Sequence, residues 1–205
     1  MKKKAIIFDL DNTIYSVQTI GPELFATLFE LIENKYSDKS KIAAIKKDIM
    51  RKPFQVVAAE YGFTESLVKE GMELLTDIEY RGKMEPYEDY ILTRGFQTEK
   101  FLVTTGFFKL QQSKIDQLGI RNDFRQIYIV DPAKSSQTKK EVFAEIMITY
   151  NYMPSELLVL GDDLQSEIKA ALELGIDAVL YNKEMPENKS IHIPVISHFG
   201  ALVFE

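Results

Sequence analysis

Short apolar runs alternate with segments of helical periodicity along much of the chain. Each run is rich in Ile, Leu or Val and ends at polar residues, which is typical of a buried strand. The segments between the later runs space their apolar residues as an amphipathic helix does. The predicted strands are residues 4–8, 100–106, 126–131, 156–163 and 177–181, and the predicted later helices are residues 107–118, 139–150 and 165–175. This alternation predicts an α/β fold with a doubly wound parallel sheet covered by helices on both faces.

A long helical block separates the first two predicted strands. Leucines recur at helical spacing from residue 21 onwards, and the helical pattern continues over residues 37–89. Thr64 stands in a capping position before a last helix, predicted over residues 64–80. We therefore expect an α/β core domain made of residues 1–15 and 89–205, with an inserted α-helical cap domain made of residues 16–88.

Polar residues follow the predicted strands at the point where each strand ends. The carboxyl ends of parallel strands meet at one edge of an open sheet, where such folds bind ligands. Asp9 and Asp11 are two positions apart in an extended segment, so their side chains leave it on the same side. The residues expected at this edge are Asp9, Asp11, Thr104, Thr105, Asp131, Asp162 and Asp163. We therefore predict the functional site there.

The predicted edge combines carboxylates with hydroxyls and a lysine. Close carboxylates repel each other unless a cation lies between them or one is protonated. Oxygen ligands without nearby Cys or His favour a hard ion such as Mg²⁺. Thr104, Thr105 and Gly106 come at a helix start, where hydroxyls and free backbone N–H groups suit an anion, and Lys139 or Lys140 adds a positive charge. Together these groups predict phosphoryl transfer.

Composition narrows the class of protein further. The 205 residues include 25 Lys plus Arg and 31 Asp plus Glu, and this acidic balance argues against a nucleic-acid surface. The absence of Cys excludes disulfides and thiolate zinc sites. Asp9 and Asp11 interrupt the first apolar run too early for a signal peptide, and no stretch has the ~18 apolar residues of a membrane span. We expect a cytoplasmic protein without membrane association, and the sequence indicates no oligomeric state.

Four short motifs resemble those of the haloacid dehalogenase superfamily. They are FDLDNT around Asp9, VTTG at residues 103–106, a lysine at a helix start, and LGDDLQSE at residues 160–167. The resemblance extends from residue 5 to about residue 181. It implies a Rossmann-like core, Mg²⁺ as cofactor and a helical cap that closes over the site and carries substrate selectivity.

The resemblance implies a role for each matching residue. Asp9 would attack phosphorus to form an aspartyl phosphate and would also bind Mg²⁺. Asp11 would protonate the leaving group and then activate water, and its backbone carbonyl would be a metal ligand. The other implied roles are phosphoryl binding by Thr104, substrate contacts by Thr105 and Gly106, charge neutralisation by Lys139, metal binding by Asp162 and Asp163, and support by Thr13 and Glu167. Lys139 fits best because Phe143 follows at the family's apolar position, with Lys134 and Lys140 as alternatives.

The favoured function is a Mg²⁺-dependent phosphatase that acts on a small phosphorylated metabolite, such as a nucleotide or a sugar phosphate. Asp11 favours hydrolysis, because relatives that remove halide lack this second aspartate. Two alternatives stay open: a phosphomutase of the same family, which returns the phosphoryl group to its substrate, and a non-catalytic module for phospho-signalling or scaffolding. Nothing in residues 16–88 distinguishes a nucleotide from a sugar phosphate.

Overall fold

Six parallel strands form a sheet at the centre of the computed structural model, which describes residues 3–183 and 193–202. The strands are β1 (Ala5–Phe8), β2 (Glu99–Thr105), β3 (Gln126–Val130), β4 (Leu157–Gly161), β5 (Asp177–Tyr181) and β6 (Val195–Ile196). Their order in the sheet is β3-β2-β1-β4-β5-β6, and every neighbouring pair is parallel. The predicted parallel sheet with flanking helices is confirmed. Since β1 lies between β2 and β4, the carboxyl ends of these three strands are adjacent.

Eight α-helices accompany the sheet in the described residues. They are α1 (Gly21–Leu24), α2 (Ala26–Lys35), α3 (Lys39–Ile49), α4 (Phe54–Tyr61), α5 (Glu65–Thr76), α6 (Phe108–Leu118), α7 (Lys139–Tyr150) and α8 (Glu167–Glu173). Short 3-10 helices occur at Val17–Thr19, Glu88–Gly95, Arg121–Asp123, Pro154–Glu156 and Phe199–Ala201. Within these described ranges, no helix is both long enough and apolar enough to cross a bilayer.

The two faces of the sheet belong to two different apolar clusters. On β1, Ile6 and Phe8 pack into a cluster with α6 and the early helices, whereas Ala5 and Ile7 pack into a cluster with α7 and α8. All four side chains are buried. A strand that is covered on both faces needs apolar residues at successive positions, which explains the unbroken apolar run at the start of the chain.

Helices α1 to α5 lie between β1 and β2, in agreement with the helical pattern of this segment. Thr64 caps α5 as predicted, since its hydroxyl accepts a hydrogen bond from the N–H of Leu67 (3.3 Å). The helix predicted over residues 64–80 ends at Thr76, so the prediction of a further helical turn after Thr76 was wrong. There the N–H of Tyr80 donates to the Ser113 hydroxyl (2.9 Å), which ties the chain to α6. The division into a core and a cap domain stays a prediction.

Other differences from the predicted elements are confined to their ends and to one short strand. The strand predicted over residues 156–163 ends at Gly161, and the helix predicted over residues 165–175 covers Glu167–Glu173. Strand β6 was not predicted. It has two residues, which is too short for a periodic pattern to identify.

Asp89 ties the segment that follows the helical block to the far edge of the sheet. Its carboxylate accepts hydrogen bonds from the Tyr181 hydroxyl (3.2 Å), the Lys183 ammonium (2.7 Å) and the N–H of Phe199 (2.8 Å). The Tyr181 and Phe199 rings stack above one another with centroids 4.5 Å apart. Burial alone would raise the pKa of Asp89, but the bonds from Lys183 and Phe199 hold it below its usual value.

Replacing Asp89 with alanine should lower the free energy of unfolding by about 2 kcal/mol at neutral pH, because buried donors lose their acceptor. The wild-type carboxylate has a lowered pKa in the folded state, so its stabilisation is complete above the unfolded pKa of about 4 and disappears as the pH falls below it. Urea unfolding at pH 7 and pH 3 should show a difference between wild type and Asp89→Ala that shrinks in acid. Asp177→Ala, which removes an exposed partner of Lys3, is the control and should change little. A difference of equal size at both pH values would contradict this account.

Candidate active site

The loop that follows β1 presents Asp9 and Asp11 to a pocket at the carboxyl edge of the sheet. Asn12 has a left-handed backbone (φ 57°), and its side-chain oxygen accepts a hydrogen bond from a backbone N–H five residues later (3.1 Å). Asparagine tolerates this conformation better than most residues, so the chain can turn sharply here. The hydroxyl of buried Thr13 lies 3.4 Å from Asp9 Oδ2 and donates to it. The Asp-x-Asp spacing therefore delivers two carboxyl groups to one cavity.

Lys139 is the lysine that reaches Asp9. It is the first residue of α7, yet its side chain is only 8% exposed, and its Nζ donates to Asp9 Oδ1 (2.6 Å) and Glu167 Oε2 (2.7 Å). Lys134 and Lys140, the two alternatives, are exposed and pair with other acids. The charges of Asp9 and Glu167 overcome burial and raise the pKa of Lys139 above its usual value. This lysine therefore stays protonated at neutral pH.

Asp9, Asp162 and Glu167 form a crowded acidic group whose carboxylate oxygens lie within 4.8 Å of one another. Burial raises the pKa of Asp9 to about 7 against the attraction of Lys139, with Glu167 and Asp11 adding to the rise. Burial and the charges of Asp9 and Glu167 likewise raise the pKa of Asp162 to about 8. If all three acids are ionised and Lys139 is protonated, two negative charges remain, which a divalent cation would neutralise. The donor set of this group therefore fits a hard divalent ion.

Gly161 makes room for Glu167 beneath Lys139. A Cβ atom at Gly161 would lie 2.3 Å from Glu167 Cγ, far closer than any real contact. Glu167 is buried, and its Oε1 accepts a hydrogen bond from the N–H of Asp163 (2.7 Å) while its Oε2 holds Lys139. The charge of Lys139 and these hydrogen bonds outweigh burial and lower the pKa of Glu167. The glycine of the Gly-Asp-Asp sequence therefore leaves space for the side chain of Glu167, which follows Asp163 by four residues.

The two aspartates after β4 are placed differently. Asp162 belongs to the acidic group, whereas the carboxylate of Asp163 accepts a hydrogen bond from the N–H of Gln165 (2.7 Å) in the turn before α8. Both residues line the pocket. The structure therefore brings Asp162 together with Asp9 and leaves the Asp163 side chain outside that group.

Two backbone donors at the start of α6 are already used, which corrects part of one expectation. Thr105 and Gly106 line the pocket. However, the N–H of Gly106 donates to the Val130 carbonyl (3.0 Å), and that of Phe108 donates to Asp131 Oδ2 (3.0 Å). These two N–H groups are therefore not free to bind an anion. Asp131 directly follows β3, where it was expected, and its carboxylate accepts the hydrogen bond from the first residue of α6.

Asp11 is held by three donors that sequence reasoning missed. Its Oδ1 accepts from Lys114 Nζ (2.8 Å) and the Tyr15 hydroxyl, and its Oδ2 accepts from Gln111 Nε2 (2.8 Å). Gln111 also donates to the hydroxyl of buried Thr104 (2.6 Å). Burial alone would raise the pKa of Asp11, but the charge of Lys114 and the three hydrogen bonds lower it. Asp11 is thus a carboxylate in this structure.

A sequence signal for these donors exists in α6. Gln111 and Lys114 fall on the helical stripe of Phe107 and Leu118, at spacings of four, three and four residues, where apolar side chains are expected. Both polar side chains are buried. Since buried polar groups require partners, polar residues on an apolar stripe mark this helix face as part of a site.

The helical block supplies one wall of the pocket, whose volume is about 170 Å³. Residues of this block that line it include apolar Phe25, Ile49, Met50, Phe54 and Leu75 and polar Arg51, Lys52 and Gln55. The acidic group also lines it, together with Asp11, Gln111 and Lys114. A substrate in this cavity therefore contacts the carboxyl edge of the sheet and the helical block at the same time.

Comparison with known proteins identifies relatives across the whole fold. The sequence model described as haloacid dehalogenase-like hydrolase matches residues 6–181. A glyceraldehyde 3-phosphate phosphatase of Methanopyrus kandleri is 22% identical over 86% of this chain and 82% of its own length. An N-acylneuraminate-9-phosphatase of Mus musculus is 21% identical over 95% of this chain and 86% of its own.

A solved structure gives the same fold. The HAD-hydrolase YfnB of Bacillus subtilis, crystallised with bound magnesium, superimposes with a TM-score of 0.67 at 19% identity. The match covers 97% of this chain and 96% of that protein. At this identity the likeness shows a shared fold.

Replacing Gly161 with alanine should displace Glu167 and loosen Lys139, because the new methyl group would occupy the space of the Glu167 side chain. A displacement of about 1 Å at a reacting group costs about 100-fold in rate, so we expect kcat to fall by about that factor. Gly95→Ala is the matched control, since a Cβ atom there has nothing within 4 Å. Steady-state kinetics with an aryl phosphate and thermal unfolding would measure both effects. Unchanged kcat in a folded Gly161→Ala protein would contradict the proposed need for this space.

Proposed function

This chain belongs to the haloacid dehalogenase-like hydrolases, and we propose that it is a Mg²⁺-dependent phosphatase that acts on a small phosphorylated metabolite through an aspartyl-phosphate intermediate. The observation that carries the proposal is that Asp9 and Asp11 line one pocket and each is bonded to its own buried lysine. A carboxylate nucleophile and a second carboxyl group for proton transfer can together carry out hydrolysis through a phosphoenzyme.

In the first step, a carboxylate oxygen of Asp9 attacks phosphorus, and the bond from phosphorus to the ester oxygen breaks. Asp11 delivers a proton to that oxygen as the leaving group departs. A bound phosphoryl group raises the pKa of Asp11 through its negative charge, which is the direction the acid role requires. The Thr104 hydroxyl and the Lys139 ammonium balance charge on the transferring group.

In the second step, water attacks the phosphorus of the aspartyl phosphate. Asp11, now a carboxylate, takes a proton from that water, and inorganic phosphate leaves as Asp9 is regenerated. The three donors around Asp11 favour this ionised form. One residue therefore serves as acid and then as base without a change in position.

The residues proposed to hold Mg²⁺ are Asp9, Asp162 and the backbone carbonyl of Asp11, with Asp163 as a further candidate and Glu167 in support. The crowded, partly protonated acids of this group support the assignment, because a cation would relieve their repulsion. When bound, the ion would neutralise charge on the phosphoryl oxygens. The magnesium bound by YfnB is consistent with this choice.

The substrate proposed is small. The cavity of about 170 Å³ is below the ~300–1,000 Å³ of pockets for drug-sized ligands. The curated relatives are named for phosphatase activity on glyceraldehyde 3-phosphate and N-acylneuraminate 9-phosphate, which are small phosphorylated compounds. The apolar side chains of the helical block are suited to the carbon frame of such a substrate.

Asp9→Asn should abolish phosphate release, because an amide cannot act as the nucleophile. We expect kcat to fall by about three orders of magnitude or more, and chelation of Mg²⁺ should stop turnover by the wild type reversibly. A phosphate-release assay against a panel of metabolites, with and without Mg²⁺, would measure both. Full activity after either treatment would contradict the mechanism. Isomerised sugar phosphate without released phosphate would instead identify a phosphomutase.

Asp162→Asn and Asp163→Asn form a matched pair that tests the metal assignment. We expect Asp162→Asn to weaken Mg²⁺ binding at least about tenfold, because this side chain belongs to the acidic group. Asp163→Asn should have a smaller effect, since its carboxylate bonds to its own turn. Calorimetric titration with Mg²⁺ and the Mg²⁺ dependence of kcat would separate the variants. An equal loss in both would show that the Asp163 carboxylate also binds the ion.

A further inference from the structure

We propose that Gln111 and Lys114 of α6 are positioning residues that orient the carboxyl group of Asp11 for proton transfer to the leaving group. The inference rests on the proposed phosphatase function and goes beyond it by assigning a task to side chains outside the four sequence motifs. It is carried by a cluster of buried donors that converge on the two oxygens of one carboxyl group.

Lys114 is a buried cation whose partner is a reacting group. Its side chain is 5% exposed, its Nζ lies 2.8 Å from Asp11 Oδ1, and Asp11 is the one acid that pairs with it among residues 3–183 and 193–202. Taking an ammonium group out of water costs several kcal/mol, and a buried pair often adds no net stability compared with apolar side chains. The arrangement is therefore better explained by what it does for Asp11 than by the stability of α6.

Gln111 fixes the distance between Asp11 and Thr104. Its amide nitrogen donates to Asp11 Oδ2 (2.8 Å) and to Thr104 Oγ1 (2.6 Å), so both amide hydrogens are used. A Cβ atom at Gly106 would lie 2.9 Å from Gln111 Cδ, so glycine at that position gives the amide room to reach them. Gln111 thus fixes the position of the Asp11 carboxyl group relative to the Thr104 hydroxyl, which is proposed to bind the phosphoryl group.

Separate donors on the two oxygens define the plane of the Asp11 carboxyl group. Lys114 and Tyr15 hold Oδ1, and Gln111 holds Oδ2. Loss of Gln111 leaves Oδ2 without this donor, and loss of Lys114 leaves Oδ1 with the Tyr15 hydroxyl and without its charged donor. In either case the carboxyl group is held less firmly toward the leaving oxygen. The resulting loss of rate depends on how much the leaving group needs a proton. An alkoxide leaves poorly without one, whereas a nitrophenolate leaves readily.

The experiment compares kcat/KM for an alkyl phosphate and for 4-nitrophenyl phosphate, because kcat/KM reports on steps up to formation of the phosphoenzyme. The variants are Lys114→Met and Gln111→Leu. Lys109→Met and Gln112→Leu are matched controls on the same helix, since exposed Lys109 bonds to Asp77 and half-buried Gln112 bonds to Asp116, both away from the pocket. Lys114→Arg tests rescue by a conservative donor, and thermal unfolding of each variant reports on folding.

We expect each test variant to lower kcat/KM for the alkyl phosphate by about 100-fold, in the range of general acid catalysis. The loss for the aryl phosphate should be at least about tenfold smaller, Lys114→Arg should recover part of the activity, and the controls should match the wild type. If Lys114→Met does not fold, Gln111→Leu carries the same comparison without removing a charge. Equal losses for the two substrates would overturn the inference while leaving the phosphatase function intact. A wild type that releases no phosphate from any ester would overturn both.

Discussion

The ammonium group of Lys139 holds the site together, since it lies between two buried carboxylates that would otherwise repel each other. Asp9 and Glu167 are separated by 158 positions in the sequence, and they meet because β1 and β4 are neighbours in the sheet. A lysine placed this deeply must have partners, and the acids must have a cation. The space left by Gly161 and the capped start of α7 both serve this contact.

A second buried lysine pairs with the other aspartate of the Asp-x-Asp loop that follows β1. Asp9 pairs with Lys139 of α7, and Asp11 pairs with Lys114 of α6. These two helices pack on opposite faces of the sheet, so the Asp-x-Asp loop is held from both sides. Two carboxyl groups that are close in sequence thereby acquire different environments. Burial and neighbouring acids raise the pKa of Asp9, whereas donors from α6 lower that of Asp11.

The sequence predicted the sheet, its helices and most residues at its carboxyl edge, because apolar periodicity and the motif residues are local signals. The sequence did not decide which of Lys134, Lys139 and Lys140 belongs to the site. Their local sequence patterns are alike, and only the fold determines which side chain reaches Asp9. Gln111 and Lys114 interrupt the apolar stripe of α6, but the pattern does not reveal their role because their partner Asp11 lies about 100 positions away. The early end of α5 was missed for the same reason, as a hydrogen bond from Tyr80 to Ser113 competes with a further helical turn.

Phosphoryl transfer to Asp9 is the central claim, and trapping the phosphoenzyme tests it most directly. The enzyme would be mixed with Mg²⁺ and a phosphate ester, quenched in acid within one turnover and digested for mass spectrometry. The account predicts a phosphorylated peptide that contains Asp9, with more of it in Asp11→Asn, where hydrolysis of the intermediate is slowed. The account would be contradicted if the wild type released phosphate while the Asp9 peptide carried no phosphate in the wild type or in Asp11→Asn.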